Sequence, residues 1–153
     1  MPITRLHLGA GKHTEKIRNE QYHDTFLDLR RFPGIDIVGD LNTLPWHIQE
    51  SSYDEVVAIH VVEHLNSLLD FMNECHRIIK RGGTLYIETP EAGGDVDLEF
   101  ADPTHVRCYR KHSFINYFTT SGINQFGYTD KAWSILHIGV KDSVLIFHGT
   151  PLK

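Results

Sequence analysis

Two glycines and two acidic residues near the N-terminus have a spacing that could serve a bound ligand. Gly9 and Gly11 directly follow the apolar run over residues 6–8, and glycine lets a backbone approach a ligand without a side chain in between. Asp28 lies at the end of the next apolar run, where a carboxylate can accept hydrogen bonds from both hydroxyls of a ribose. Asp40 closes the third run and could accept a bond from an adenine amino group, while the amide of Leu41 donates to a ring nitrogen. Each feature alone is equally typical of a tight turn or a strand end, but together they predict a nucleoside site.

A second candidate motif is HVVEH at residues 60–64, which matches the H-x-x-E-H pattern of one class of zinc peptidases. In that pattern two histidines one helical turn apart bind zinc and the glutamate acts as a base. The pattern requires a helix, whereas the apolar residues 56–59 immediately before it predict a strand. The spacing also identifies no third ligand. Zinc hydrolysis is therefore a remote alternative, and we predict no metal site.

A long polar segment over about residues 90–112 predicts a lid or a binding loop. It follows the fifth predicted strand, at the edge where ligands bind in open α/β sheets. Within it, His105, Arg107 and Tyr109 offer a base, an anion partner and a stacking or hydroxyl contact. The alternative is that these side chains tether the loop to the sheet.

Short apolar segments alternate with helical periodicity along the rest of the chain. Residues 56–59 are continuously apolar, which is typical of a strand buried on both faces of a parallel sheet. Apolar residues three or four positions apart predict a helix over residues 67–80, with Ser67 as its cap and Gly82-Gly83 as its stop. A second helix is predicted over residues 113–121, ending at Gly122. The seven predicted strands comprise residues 6–8, 25–29, 35–38, 56–59, 84–89, 133–138 and 144–147.

The composition is that of an ordinary globular domain. The 153 residues are 41% hydrophobic and 23% charged, which is enough for a core without disulfides, so Cys75 and Cys108 are predicted to be reduced thiols. The chain has no cationic leader and no apolar run of about eighteen residues, which predicts a cytoplasmic protein without a membrane segment. The net charge of -5 disfavours a broad nucleic-acid-binding surface, although residues 107–112 form a local basic cluster.

Four stretches of the chain together resemble the class I S-adenosylmethionine-dependent methyltransferases, particularly their small single-domain members. These stretches are LHLGAGK at residues 6–12, FLDLRRFPGIDIVGDLNTLPW at 26–46, YDEVVAIHVVEHL at 53–65 and HRIIKRGGTLYIETPE at 76–91. The resemblance extends over about residues 3–147. It implies one α/β domain over residues 1–153 with a Rossmann-like fold: a mostly parallel seven-stranded sheet with an antiparallel last strand and helices on both faces.

The resemblance also implies S-adenosylmethionine as cofactor and S-adenosylhomocysteine as product. By position, Leu8, Gly9, Ala10 and Gly11 are expected to lie against the methionine part of the cofactor. Asp28 and Leu29 are expected at the ribose, Asp40 and Leu41 at the adenine, and Ile59, His60 and His64 along the rest of the cofactor.

One departure from the family pattern concerns the first helix. Only about a dozen residues separate Gly11 from the second predicted strand, so the usual long first helix is predicted to be shortened or absent over HTEKIRNEQ, residues 13–21. A weaker or partner-dependent cofactor site would follow.

The activity that the resemblance implies is methyl transfer to an oxygen or nitrogen nucleophile. His60 and His105 are the candidate catalytic bases, because an imidazole can be neutral near pH 7, with Glu63 and Glu88 as lesser candidates. Glu88, Arg107 and Tyr109 are the candidate acceptor contacts. A small acceptor is expected, while a nucleic acid or glycan acceptor, a protein partner and a homo-oligomer stay open. The alternative function is a regulatory or cofactor-consuming protein that binds S-adenosylmethionine without methyl transfer.

Overall fold

A seven-stranded mixed sheet forms the centre of the protein. The structure is a computed structural model that describes residues 1–12, 14 and 20–153. The strands are β1 (Ile3–Leu8), β2 (Tyr22–Asp28), β3 (Ile37–Val38), β4 (Tyr53–Ile59), β5 (Ile79–Pro90), β6 (Trp133–Lys141) and β7 (Val144–Pro151). The helices are α1 (Leu68–Ile78), α2 (Val96–Phe100), α3 (Lys111–Phe118) and α4 (Thr120–Phe126), and a short 3-10 helix covers Val62–His64.

The strand order is β3-β2-β1-β4-β5-β7-β6. The first five strands in this order pair in parallel, and β7 runs antiparallel between β5 and β6. This arrangement confirms the predicted sheet, including its antiparallel last strand. The direction of winding reverses between β1 and β4, and ligands of open α/β sheets bind at the carboxyl ends of the strands on either side of such a point.

The core lies against the three central strands, as the continuous apolar runs predicted. Leu6 in β1, Val56 and Ala58 in β4, and Leu85 and Ile87 in β5 are all at most 1% exposed. Strands buried on both faces cannot shift register without exposing apolar area, which costs about 25 cal/mol per Å². The register of the sheet therefore fixes where each strand ends relative to its neighbours.

Helix α1 packs on this core through the predicted apolar stripe, but its end differs from the prediction. Ser67 caps it, since the Ser67 hydroxyl accepts the backbone N–H of Asp70 at 3.2 Å. The helix stops at Ile78 because the fully buried Ile79 pairs with Tyr53 and begins β5. Gly82, with φ of +78°, consequently lies within β5 instead of terminating the helix.

The predicted second helix is two helices. Lys111–Phe118 is followed by Thr120–Phe126, because the Thr119 hydroxyl accepts the N–H of Gly122 and starts a new helix. Gly122 is required for close packing: a Cβ there would lie 2.0 Å from the carbonyl oxygen of Asn116. The left-handed stop is Gly127, with φ of +67°.

Three further predictions concern the first helix, the two cysteines and membrane-spanning segments. The shortened first helix was predicted over residues that include 13 and 15–19, which lie outside the described residues. Cys75 and Cys108 are both free, as predicted. Within the described part of the chain, the helices are too short and too polar for a transmembrane span.

Candidate active site

The glycine turn after β1 is held in a left-handed conformation against the sheet. Gly9 and Gly11 have φ of +62° and +60°, a region that favours glycine. A Cβ on Gly9 would lie 2.6 Å from Cγ2 of Val61, so the turn also needs glycine for space. The N–H of Ala10 donates to the Leu27 carbonyl at 3.1 Å, which fastens the turn to β2. The turn after β1 therefore has no side chain at Gly9 or at Gly11.

Asp28 ends β2 directly beside this turn. Its Oδ2 accepts the N–H of Gly11 at 2.9 Å, and its Oδ1 accepts the N–H of Arg30 at 2.9 Å. The residue is only 7% exposed, yet an ionised carboxylate offers about four lone-pair sites. Capacity for hydroxyl donors thus remains on a carboxylate whose orientation two backbone bonds fix.

Asp40 and Leu41 follow β3 and border a small cavity. Asp40 is exposed, and its Oδ1 accepts the N–H of Asn42 at 2.9 Å. The carbonyl of Leu41 accepts the indole N–H of Trp46 at 3.0 Å. The cavity, of about 120 Å³, lies between β3 and this loop. Leu29 and Ile59 are 63% and 47% exposed at the ends of β2 and β4, unusual for large apolar side chains that follow buried strands.

His60 sits at the turn between β4 and the 3-10 helix in a left-handed conformation, with φ of +52°. Such a conformation is strained for a residue with a side chain and is frequent at functional sites. The N–H of His60 donates to the Glu88 carbonyl at 2.9 Å, and its Nδ1 lies 3.2 Å from Oε1 of Glu63. This carboxylate raises the pKa of His60 above its ordinary value. The HVVEH segment therefore does not form the single α-helix that a zinc peptidase requires.

Glu63 joins the 3-10 helix to both the sheet and the lid. Its side chain is buried, and Oε2 accepts the hydroxyl of Thr89 at 3.0 Å. Its carbonyl accepts the backbone N–H groups of Val106 and Arg107 at 2.9 and 3.2 Å. The predicted lid is thus anchored to the residue whose carboxylate holds His60.

This anchor brings His105 against His64. Their ring centroids are 4.7 Å apart with the planes at 70°. Nδ1 of His64 lies 2.9 Å from the Thr104 hydroxyl, and Nδ1 of His105 lies 2.8 Å from the Glu99 carbonyl. Two histidines that stand 41 positions apart in the sequence therefore lie in one cluster with Glu63.

The three candidate acceptor contacts occupy different surroundings. Arg107 is exposed and donates to the Asn66 carbonyl at 3.3 Å. Tyr109 is buried, its hydroxyl donates to the Val62 carbonyl at 3.4 Å, and burial raises its pKa to about 12. These contacts support the tethering alternative for Tyr109. Glu88 is half-buried and accepts the hydroxyl of Tyr86 at 2.5 Å.

Three residues of the site had no sequence signal of their own. Val61 shapes the glycine turn, Thr89 fixes Glu63, and Thr104 fixes His64. Their partners lie 26 to 52 positions away, so only the fold reveals them. Thr89, at the end of a predicted strand beside the ligand edge, is the one that a search of strand ends could have found.

Comparison with known proteins identifies the family. Residues 9–87, more than half of the chain, match the family described as "Methyltransferase domain". A probable S-adenosylmethionine-dependent methyltransferase of Mycolicibacterium smegmatis is 30% identical over 128 residues, which are 80% of this chain and 42% of that protein. The mitochondrial ubiquinone biosynthesis O-methyltransferase of Rattus norvegicus is 34% identical over 95 residues, 58% of this chain and 26% of that protein. The chain thus spans less than half the length of either relative.

Solved structures share the fold across nearly the whole chain. The YcgJ protein of Bacillus subtilis superposes with a TM-score of 0.68 at 13% identity, covering 99% of this chain and 93% of that one. The 1,6-didemethyltoxoflavin-N1-methyltransferase of Burkholderia thailandensis, solved with bound 1,6-didemethyltoxoflavin and S-adenosylhomocysteine, superposes with a TM-score of 0.68 at 12% identity, covering 99% of this chain and 72% of that one. The fold, the sheet order and the family match agree, and the chain belongs to the class I S-adenosylmethionine-dependent methyltransferases.

Proposed function

We propose that this chain binds S-adenosylmethionine along the carboxyl edge of β1, β2 and β4 and transfers its methyl group to an oxygen of a small acceptor. The observation that carries the proposal is the bond from Gly11 to Asp28, at 2.9 Å. It joins the bare backbone turn and the buried carboxylate into one surface, where an adenosyl sulfonium needs close approach at one end and hydroxyl acceptors at the other.

The residues at this edge fit the cofactor. A Cβ on Gly9 would clash with Val61, so this position has no side chain where the methionine part of the cofactor is proposed to lie. Asp28 keeps lone pairs for the ribose hydroxyls, and exposed Asp40 can accept from the adenine amino group. The exposed apolar side chains of Leu29 and Ile59 offer surfaces on which the nucleoside packs. His64 is proposed along the rest of the cofactor, and its Nδ1 lies 2.9 Å from the Thr104 hydroxyl.

When bound, the cofactor supplies an electrophilic methyl group on a sulfonium, whose C–S electron pair stays on sulfur as the acceptor oxygen takes the methyl. The chain's own task is to hold the acceptor oxygen in line, and such positioning is worth about 7–11 kcal/mol in model reactions. His60, whose orientation Glu63 and the Glu88 carbonyl fix, is proposed to accept the hydroxyl proton. His105 is the second imidazole within reach of this edge, through its contact with His64.

An oxygen acceptor is favoured by the similarity to a ubiquinone biosynthesis O-methyltransferase over 95 residues. A small acceptor is favoured by a cavity of about 430 Å³ beside the lid. Arg107 lines this cavity and is exposed, so it can face an anionic group of the acceptor. Tyr109 also lines it but holds the lid through Val62.

The test is calorimetric titration of the chain with S-adenosylmethionine and S-adenosylhomocysteine, in wild type, Asp28→Asn and Asp130→Asn. Asparagine keeps an acceptor for one backbone bond at position 28 but removes the anion and half of its acceptors. We expect binding to weaken at least tenfold in Asp28→Asn with unchanged circular dichroism. Asp130, which is 84% exposed, serves as the matched control.

Equal affinity in all three proteins would remove Asp28 from the ribose role. Transfer is tested separately, by release of S-adenosylhomocysteine in the presence of small phenol and catechol acceptors. Tight binding without release across these acceptors would favour the regulatory alternative over the enzyme.

A further inference from the structure

Two imidazoles and one carboxylate converge where the lid meets the end of β4. One ligand atom from each of Glu63, His64 and His105 lies within 4.8 Å of the other two. Nitrogen and oxygen donors bind a transition metal at about 2.0–2.2 Å, so neighbouring donors of a tetrahedral ion stand about 3.4 Å apart. Side-chain rotations that bring these three atoms closer by at most about 1.4 Å would place all of them on one ion.

Both imidazoles of this cluster carry their proton on Nδ1. Nδ1 of His105 lies 2.8 Å from the Glu99 carbonyl, which only accepts, so Nδ1 is the donor and Nε2 keeps a lone pair. The Thr104 hydroxyl lies 2.6 Å from Oδ1 of Asp102, which takes its proton. That hydroxyl therefore accepts from Nδ1 of His64 at 2.9 Å, and Nε2 of His64 also keeps a lone pair. Histidines that bind metals are oriented in this way by a carbonyl or carboxylate behind the ring.

The third member of the cluster is a buried anion. Glu63 is 1% exposed, with Oε2 bound to Thr89 and Oε1 to His60. Each carboxylate oxygen offers a second lone pair. A buried carboxylate is costly unless it is paired, and a metal ion would add to the compensation that His60 and Thr89 supply. Among the described residues this is the only such group of three metal-ligating side chains.

We propose that Glu63, His64 and His105 form a site for one divalent transition metal ion of the Zn²⁺, Co²⁺ and Fe²⁺ class. Two imidazoles and one carboxylate suit these ions, whereas Mg²⁺ and Ca²⁺ prefer all-oxygen sets. Three protein ligands leave positions open on the ion, as in catalytic sites. This site differs from the zinc-peptidase pattern, because His60 binds Glu63 and the lid supplies the third ligand.

The proposed metal site indicates the chemical class of the methyl acceptor, an inference that rests on the proposed methyl transfer. Open positions on the ion fit two neighbouring oxygens, as in a catechol or another vicinal diol. A hydroxyl bound to the ion gives up its proton to His60, the proposed base, more readily, since a metal lowers the pKa of a bound O–H group. In this arrangement His105 is a ligand instead of a base.

The test is titration of the untagged, chelator-treated chain with Co²⁺, followed by its visible absorption. We expect one equivalent to bind to wild type and the affinity to fall at least about tenfold in His64→Gln and in His105→Gln. His112→Gln is the matched control, because His112 is exposed on α3 outside the cluster. Millimolar Mg²⁺ should not displace Co²⁺. Affinities within twofold in all four proteins, or displacement by Mg²⁺, would overturn the site.

S-adenosylhomocysteine titrations on the same samples separate the two proposals. If wild type binds Co²⁺ but not S-adenosylhomocysteine, the metal site stands and the proposed function fails; the reverse result overturns the metal site alone. Retained S-adenosylhomocysteine binding in His64→Gln and His105→Gln shows that these variants fold. Addition of 3,4-dihydroxybenzoate should change the Co²⁺ spectrum, and an unchanged spectrum would overturn the vicinal-diol part.

Discussion

The side chain of Val61 fills the space that a Cβ on Gly9 would need, with Cγ2 only 2.6 Å from that position. Val61 follows β4 and Gly9 follows β1, the two strands on either side of the point where the winding of the sheet reverses. The shape of the proposed cofactor turn is therefore set by a neighbouring strand end as well as by its own φ angles.

This contact predicts unequal effects for the two glycines. Gly9→Ala should lower the free energy of unfolding by about 2–4 kcal/mol, because it adds a steric clash to the strain of a left-handed alanine. Gly11→Ala should cost only about 1–2 kcal/mol, since open space surrounds its Cβ position. Urea denaturation measures both. In a double-mutant cycle, Val61→Ala should recover part of the loss at Gly9, and purely additive effects would contradict the clash.

Removal of the Thr89 hydroxyl, which donates to Glu63, should destabilise the fold. Thr89 is fully buried and donates to Oε2 of Glu63, so Thr89→Val leaves a buried carboxylate without one partner. We expect a loss of about 1–3 kcal/mol in thermal or urea unfolding. Thr150→Val is the control, because Thr150 is half-buried and donates to the neutral Gly83 carbonyl at 2.8 Å. Equal losses of unfolding free energy in the two variants would contradict the prediction that the Glu63 carboxylate depends on the Thr89 hydroxyl more than the neutral Gly83 carbonyl depends on the Thr150 hydroxyl.

The pH dependence of stability should report on Asp54. Hydrogen bonds from Thr4, together with the ammonium of Lys80, lower its pKa to about 2. Its stabilising effect is complete above the unfolded value of about 3.8 and disappears as pH falls through 2. Asp54→Asn should cost about 1 kcal/mol at pH 7, after allowance for solvent screening of a side chain that is 38% exposed.

Melting curves between pH 2 and 7 test this sign. The difference between wild type and Asp54→Asn should shrink as pH falls from 4 to 2. A difference that is constant over this interval would assign the effect to packing instead of charge.

The hydrogen bond between His64 and the Thr104 hydroxyl should increase the affinity of the proposed metal site. Thr104→Val removes the hydroxyl that accepts from Nδ1 of His64 and frees the ring to rotate. We expect Co²⁺ affinity to fall about tenfold, the effect usual for a residue that orients a ligand. Thr129→Val, which breaks a bond to Asn73 elsewhere in the fold, should leave the affinity unchanged. Equal affinities in wild type and Thr104→Val would show that the ring is held by other contacts.

Much of the sheet could be predicted from the sequence because its strands are buried on both faces. Val56 and Ala58 could be assigned to a buried strand without knowledge of the neighbouring strands, because a short apolar run between turn residues is itself typical of such a strand. The ends of helices were less predictable. Ile79 satisfies the helical period of α1, yet its pairing with Tyr53 places it in β5, and such pairing has no local signature.

The candidate site divides in the same way. Gly9, Gly11 and Asp28 were predicted because loops at the ends of consecutive strands meet at one edge, and the bond from Gly11 to Asp28 joins two of them directly. The proximity of His64 to His105 was not predicted. It depends on backbone bonds from the lid to Glu63, which the periodicity of neither segment encodes.

Glu63 binds the lid through its carbonyl and His60 through its carboxylate. Opening of the lid would break both backbone hydrogen bonds from Val106 and Arg107 to Glu63, the residue whose side chain holds His60. Opening would also carry His105 away from His64, so the proposed metal site is complete only while the lid is closed.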